Sequence, residues 1–186
     1  MASIDGARVA FLVATEGVEQ IELTQPWSDI QQAGGVPSLV SIEDGEVQGF
    51  DHLDKADTFE IDHVVDQVAV DDFDALVLPG GVANPDNLRM HAGAVAFVKD
   101  FVASGKPVAA ICHAPWTLIE AGCVQGRTLT SWPSLQTDVR NAGGTWVDEQ
   151  VVVDDNGAGP LITSRKPDDL EAFSRETIAH IEKARS

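Results

Sequence analysis

Short apolar runs rich in β-branched residues recur along the chain: ARVAFLVA, VPSLVSI, DALVLPGG, PVAAIC and PLITSR. They lack the polar alternation of a half-exposed strand and are short for helices, so they predict the buried strands of a parallel sheet. Between them the apolar residues fall at helical spacing, which predicts helices over 19–33, 93–104, 114–121 and 135–142 and a C-terminal helix opened by Pro167. Proline suits a first helical turn, where its missing N–H has no partner to lose, and Asp168 and Asp169 complement the positive end of the helix. Pro26 interrupts the first helix and is expected to kink or restart it. Two further segments, QVAV and EQVVVDDNGAGPLIT with Asn156-Gly157 as a turn, predict extra strand pairing beside the parallel strands. Strand alternating with helix predicts one α/β domain over 1–186: a doubly wound, mostly parallel sheet sandwiched by helices, with its site at the carboxyl ends of the strands.

Composition narrows the function. A chain of 186 residues that is 44% hydrophobic can bury its own core. Thirty Asp and Glu against twelve Lys and Arg leave a net charge of −18, so phosphate backbones and anionic membranes should be repelled and nucleic-acid binding is disfavoured. The acids are spread through the chain, as in a solvated surface. No apolar stretch is long enough to span a bilayer, and the first residues lack a signal-peptide pattern; the expectation is a soluble cytoplasmic protein. Two cysteines, Cys112 and Cys123, do not make a disulfide framework. A helix between them would hold their ends roughly 14 Å apart, beyond the ~7 Å that a bridge spans. His52, His63, His91 and His180 show no paired metal-ligand spacing, so neither metal nor cofactor is expected.

Cys112 is the candidate for chemistry. It ends PVAAIC and is followed at once by His113 and a helical stretch, which places a thiol on a strand-to-helix turn. Unpaired N–H groups at a helix start favour a thiolate and can hold an oxyanion; the alternative is a small buried hydrophobe at a strand end. Two other loops should converge on it, TEGVEQIE after the first strand and GGVANPDN after DALVLP. Glu19 and Glu22 of the first also fit as first-turn acids favouring the helix dipole. Gly80 and Gly81 of the second also fit a tight turn, and their spacing matches no phosphate-binding fingerprint. Trp116 and Trp132 are close enough in sequence to Cys112 to wall a pocket.

The ordered set DALVLPGG, PDNLR, GKPVAAICHAP, AGCVQGRTLTS, DVRNAGG, EQVVVDD and ITSRKPDDL resembles the ThiJ/PfpI superfamily over nearly the whole chain, in its PfpI-like branch of intracellular proteases and general stress proteins. The Parkinson's-disease-associated protein deglycase is a more distant relative of that branch. The resemblance implies a flavodoxin-like fold, similar to class I glutamine amidotransferases. It implies Cys112 as nucleophile, His113 as the family's histidine and Asp86 as the acid of a triad, supplied in the family by a neighbouring subunit. Asp86 is a carbon shorter than the glutamate of some members, and beside Asn84 and Asn87 it also fits an ordinary turn. Glu22 is similar to the glutamate that contacts the cysteine, and Gly81 and His113 to the backbone donors of an oxyanion hole. A charged Glu22 would oppose a thiolate, whereas a protonated one would donate to it, so Glu22 should have a raised pKa. Where the family often has glycine after Cys-His this chain has Ala114, whose Cβ should narrow the approach to the turn. The implied function is a stress-response cysteine hydrolase acting on glyoxal, methylglyoxal or their early protein adducts, working as a homodimer or larger assembly. The alternatives are an oxidation sensor or chaperone through Cys112, and an intracellular peptidase. The distal His-x-Glu pair of a glutamine amidotransferase is absent.

Overall fold

The computed structural model describes residues 3–186. In chain order its elements are β1 (Arg8–Val13), β2 (Glu16–Glu19), α1 (Gln20–Gln32), β3 (Val36–Ser41), β4 (Glu46–Asp51), β5 (Asp54–Glu60), β6 (His63–Val64), β7 (Ala75–Leu78), α2 (Ala83–Leu88), α3 (Ala92–Ala103), β8 (Val108–Ile111), α4 (Pro115–Glu120), β9 (Thr128–Leu129), α5 (Gln136–Asn141), β10 (Thr145–Trp146), β11 (Val151–Asp154), β12 (Leu161–Ser164) and α6 (Leu170–Ala184). The main sheet has seven strands in the order β11-β12-β8-β7-β1-β3-β6. Its pairs are parallel except that of β11 with β12. The chain leaves β1 toward β3 on one side and resumes at β7 on the other. The strand order therefore reverses between β1 and β7, and a crevice opens beyond their carboxyl ends.

Period-two alternation sorts the strand residues into two cores. Ala10 and Leu12 of β1, Leu76 and Leu78 of β7, and Val108 and Ala110 of β8 meet Phe97 and Phe101 of α3 and Leu118 of α4. Val9, Phe11 and Val13, Ala75 and Val77, and Ala109 and Ile111 meet Leu23 and Ile30 of α1 and Phe173 and Ile181 of α6. Helices thus cover both faces of the sheet, and burial on both faces is why the strand runs carry no polar alternation.

Three expectations need correction. The first helix neither stops nor restarts at Pro26; α1 runs through it as one element. Proline leaves the Glu22 carbonyl without its helical donor, but Leu23, Pro26 and Ile30 form one buried stripe that holds the helix against the sheet. QVAV does not pair as a strand: it links two short 3₁₀ turns, Val65–Gln67 and Val70–Asp72. The Asp72 carboxylate accepts the Ala69 N–H at 2.7 Å, a local bond that competes with strand pairing. The segments expected as loops after β1 and β7 contain β2 and α2. The pairing of β11 with β12 is as expected, with Asn156 and Gly157 in the connection between them. It is fastened to β9 by a buried ion pair, Arg127 Nε to Asp154 Oδ1 at 2.5 Å, and by the Thr128 N–H donating to Asp154 Oδ2 at 2.7 Å.

Beside the main sheet lies a smaller one of β2, β4 and β5. β4 and β5 form an antiparallel hairpin that turns through His52 and Leu53. This hairpin overhangs the crevice, and nothing in the sequence reading anticipated it.

Candidate active site

β8 ends at Ile111 and α4 begins at Pro115, so Cys112 sits on the strand-to-helix turn, with φ at 63°. A residue with a β-carbon is strained by about 1–3 kcal/mol in that left-handed region and stays there only when its surroundings hold it. Two backbone bonds do so. The Cys112 N–H donates to the Ser164 carbonyl of β12 at 3.0 Å, and its carbonyl accepts the Trp132 N–H at 2.9 Å. The sulfur lies 3.2 Å from His113 Nδ1. The His113 ring stacks on Trp132, centroids 5.7 Å apart, and tilts against Trp116 at 5.2 Å.

The Gly80-Gly81 loop approaches this elbow from β7. Asn84, fully buried at the start of α2, donates to the Pro79 and Gly80 carbonyls at 3.0 Å each and accepts the Ala14 N–H at 2.7 Å. One amide therefore ties the end of β1 to the loop after β7. A β-carbon at Gly80 would collide with Glu22 Oε2 and the Cys112 side chain; one at Gly81, whose φ is 85°, would collide with the Gly17 carbonyl. The two glycines make a tight turn and bring backbone against the thiol. The N–H groups of Gly81 and His113 both face the Cys112 sulfur.

Glu22, in the first turn of α1, is fully buried; its Oε2 accepts the Gly80 N–H at 2.9 Å, and its Oε1 has, among the described residues, no hydrogen-bond partner of standard geometry. Burial pushes its pKa up to about 8, and the negative charge of Glu19 adds to this against the pull of hydrogen bonds from Cys112, Gly80 and Gly81. Burial, then the Glu22 charge, push the Cys112 thiol up as well, while the Gly81 and His113 N–H groups pull it down. The two groups oppose each other's ionisation, so the pair carries one negative charge more readily than two. Burial lowers the His113 pKa and favours the neutral imidazole.

Cys112, His113, Glu22 and Gly81 line one pocket of about 640 Å³, at the strand ends where the sheet order reverses, and Asp86 of α2 lines the same pocket. Asp86 is exposed and, among the described residues, makes no hydrogen bond to His113. Residues 7–180 match the DJ-1/PfpI family. The chain belongs to that family.

Among its relatives, the Escherichia coli protein named Protein/nucleic acid deglycase 2 is 42% identical over 92% of this chain and 95% of its own length. Bacillus subtilis General stress protein 18 is 41% identical over 96% of this chain and 99% of its own. A solved Anabaena variabilis protein with a DJ-1/ThiJ/PfpI-like and a ferritin-like domain superposes with a TM-score of 0.85 at 33% identity. The match covers 93% of this chain and 47% of that two-domain one.

Several features of this DJ-1/PfpI site were not legible in its sequence. Phe50, His52, Leu53 and Pro167 also line the pocket, beside Glu16, Gly17, Val82 and Ala83 of the two loops expected to converge there. Phe50, His52 and Leu53 arrive on the hairpin, whose turn lacks the Asn-Gly signal and whose β5 is largely exposed, so no apolar alternation announces it. Of the two tryptophans, Trp132 lines the pocket, whereas Trp116 backs His113 and donates to Asp138 at 2.9 Å. Ala114 does not narrow the approach: its side chain is buried in the core with Leu118, because the turn has already swung it inward. Both cysteines are free. At the mouth, Glu19, Asp51 and His52 bring three potential ligand atoms within 4.8 Å of one another, a grouping that sequence spacing did not reveal. Among the described residues no helix is long and apolar enough to cross a membrane.

Proposed function

We propose that this protein is a stress-response cysteine hydrolase acting on reactive carbonyl compounds, glyoxal or methylglyoxal, or on their early adducts on proteins. The observation that carries the reading is the convergence on one strained, clamped sulfur of two backbone N–H groups, a neutral imidazole and a buried carboxyl. Relatives bearing the names deglycase and general stress protein support the same class of chemistry.

In this mechanism Glu22 holds a proton at neutral pH and directs it at the sulfur, so that when His113 takes the Cys112 proton, to be returned to the substrate oxygen, the charge formed on the sulfur is stabilised. The thiolate adds to the aldehyde carbon, forming a C–S bond, and the carbonyl electrons move to an oxygen held by the Gly81 and His113 N–H groups. His113 then moves a proton from that carbon to its neighbour through an enediol, converting a hemithioacetal to a thioester. Water cleaves the thioester, releasing lactate from methylglyoxal and restoring the thiol. The net change is addition of one water. On an amine adduct the same attack expels the amine, which takes its proton from His113. Asp86, on the exposed face of α2, orients His113 from a neighbouring subunit, so the working form is a homodimer or larger assembly.

A second reading is favoured by the unpartnered Glu22 Oε1 beside the sulfur: peroxide oxidises Cys112 to a sulfinate, which the protonated carboxyl stabilises. Methylglyoxal consumption and lactate release by wild type and Cys112→Ala, with metal chelated and no added thiol, separate the two. Release by wild type that falls at least about a thousandfold in the variant supports cofactor-free thiol catalysis. No release from wild type overturns it in favour of oxidation sensing.

A further inference from the structure

Nothing in the chemistry at the pocket floor requires the charge found at its mouth. Of the fifteen residues that line the pocket, Glu16 and Glu19 are acids that the proposed mechanism does not use, Glu22 and Asp86 are acids that it does, and none, among the described residues, is Lys or Arg. Glu16 and Asp86 are exposed, and among the described residues neither has an ion-pair partner. The overhanging hairpin continues the pattern, since Glu46–Glu60 contains five acids and one cation, Lys55, which lies across from Phe50 and does not line the pocket. The cations flanking the lining residues are committed elsewhere. Arg89 lies over Trp116 and pairs with Glu120 at 3.6 Å; Arg165 is held by Asp148 and Asp169; Lys166 pairs with Asp168 at 3.1 Å. The pocket is a binding site on independent grounds, with a strained cysteine at its floor and the fully buried Glu22 presenting an unpartnered oxygen beside it.

A cleft lined by one sign of charge concentrates ligands of the opposite sign and repels those of its own. We infer that this site selects carbonyl adducts bearing a guanidinium or ammonium close to the reacting carbon and disfavours anionic ones, nucleotide adducts among them, with Glu16 as a specificity-determining residue. The inference rests on the proposed carbonyl chemistry for its substrate class and on the lining alone for its charge preference. It separates this chain from what the name of its Escherichia coli relative says of that protein, which includes nucleic acid.

The test keeps the two apart by first reading charge selection without catalysis. In a Cys123→Ser background, Cys112 is modified by a methanethiosulfonate carrying a trimethylammonium group and by one carrying a sulfonate, at about 20 mM and about 500 mM salt. The cationic reagent is expected to react at least about tenfold faster relative to the anionic one at low salt than at high salt. Glu16→Gln should lower the low-salt ratio about threefold and Glu16→Lys about tenfold, the scale of one or two partly screened charge interactions. A ratio that neither salt nor Glu16→Lys moves overturns the inference, whatever the turnover. The second arm compares kcat/KM for the methylglyoxal adducts of Nα-acetylarginine amide and of guanosine monophosphate, with free methylglyoxal as the neutral reference. The arginine adduct should be favoured at low salt, by a margin over methylglyoxal that Glu16→Lys reduces. Equal or preferred turnover of the nucleotide adduct also overturns it. Charge-selective modification without any methylglyoxal turnover would remove the carbonyl reading and leave the cation preference standing.

Discussion

Replacing Glu22 by glutamine should change how stability depends on pH. The carboxyl is fully buried, and its pKa is about 8 in the folded protein against an ordinary 4.5, with burial the leading cause. Between those values the folded chain holds a proton that the unfolded chain has lost. Stability contributed by the protonated carboxyl is therefore fully present below about pH 4.5, falls as pH rises through the window, and levels off above about 8. A gap of about 3.5 between the two pKa values, at about 1.4 kcal/mol per unit, gives a loss of about 5 kcal/mol across the window. Glutamine has the shape of the protonated acid and can still accept the Gly80 N–H while donating toward Cys112, but it does not titrate. Glu22→Gln should thus match wild type near pH 5 and exceed it by several kcal/mol at pH 9. Urea unfolding at a fixed protein concentration from pH 5 to 9, taken as the difference between the two proteins, isolates this group from every other titration. The same difference should persist and widen in a Cys112→Ala background, because burial raises the Glu22 pKa whereas the Cys112 hydrogen bond lowers it. A difference curve flat to within about 1 kcal/mol across the range would refute the reasoning, since Glu22 would then ionise inside the fold at no penalty.

Two further substitutions test how the site is held. Asn84→Ala removes an amide that makes three buried hydrogen bonds. It should destabilise the protein by about 2–4 kcal/mol, read from urea unfolding, and slow alkylation of Cys112 by iodoacetamide as the Gly81 N–H drifts from the sulfur; an unchanged alkylation rate would show that the loop holds its place without Asn84. Arg127→Met strands the buried Asp154 carboxylate, whose pKa is held below its ordinary value because hydrogen bonds from Thr128, Arg127 and Asn156 outweigh the raising effect of burial. A loss of about 3–5 kcal/mol is expected at pH 7, and the double variant Arg127→Met/Asp154→Leu should recover much of it in thermal unfolding.

The sequence by itself determined what depends on near neighbours. Apolar runs flanked by turn residues had to become doubly buried strands, because a six-residue segment with no polar face cannot meet water on either side. A cysteine between such a run and a helical stretch was expected on a turn, with the glycines after DALVLP in a loop converging on it. The raised pKa of Glu22 was expected only through the family resemblance, which set Glu22 against the cysteine; a carboxyl facing a thiol can be tolerated in a core only when one of the two stays neutral. What only the tertiary structure decided concerns partners far apart in the chain. Pro26 is accommodated inside α1 because packing of Leu23 and Ile30 on the sheet outweighs one lost backbone bond. The β4–β5 hairpin, polar on its outer face, is a strand pair because β2 offers it an edge, and that edge places Phe50, His52 and Leu53 over Cys112. Ala114 left the pocket because a left-handed residue before it reversed the direction of the turn. Glu16, Asp86 and the acidic hairpin meet around one opening although long stretches of chain separate them. Local propensity acts over a few residues, whereas charge and packing act across whatever surfaces the fold brings together, so the elbow was written locally and the surroundings of its sulfur were assembled by the fold.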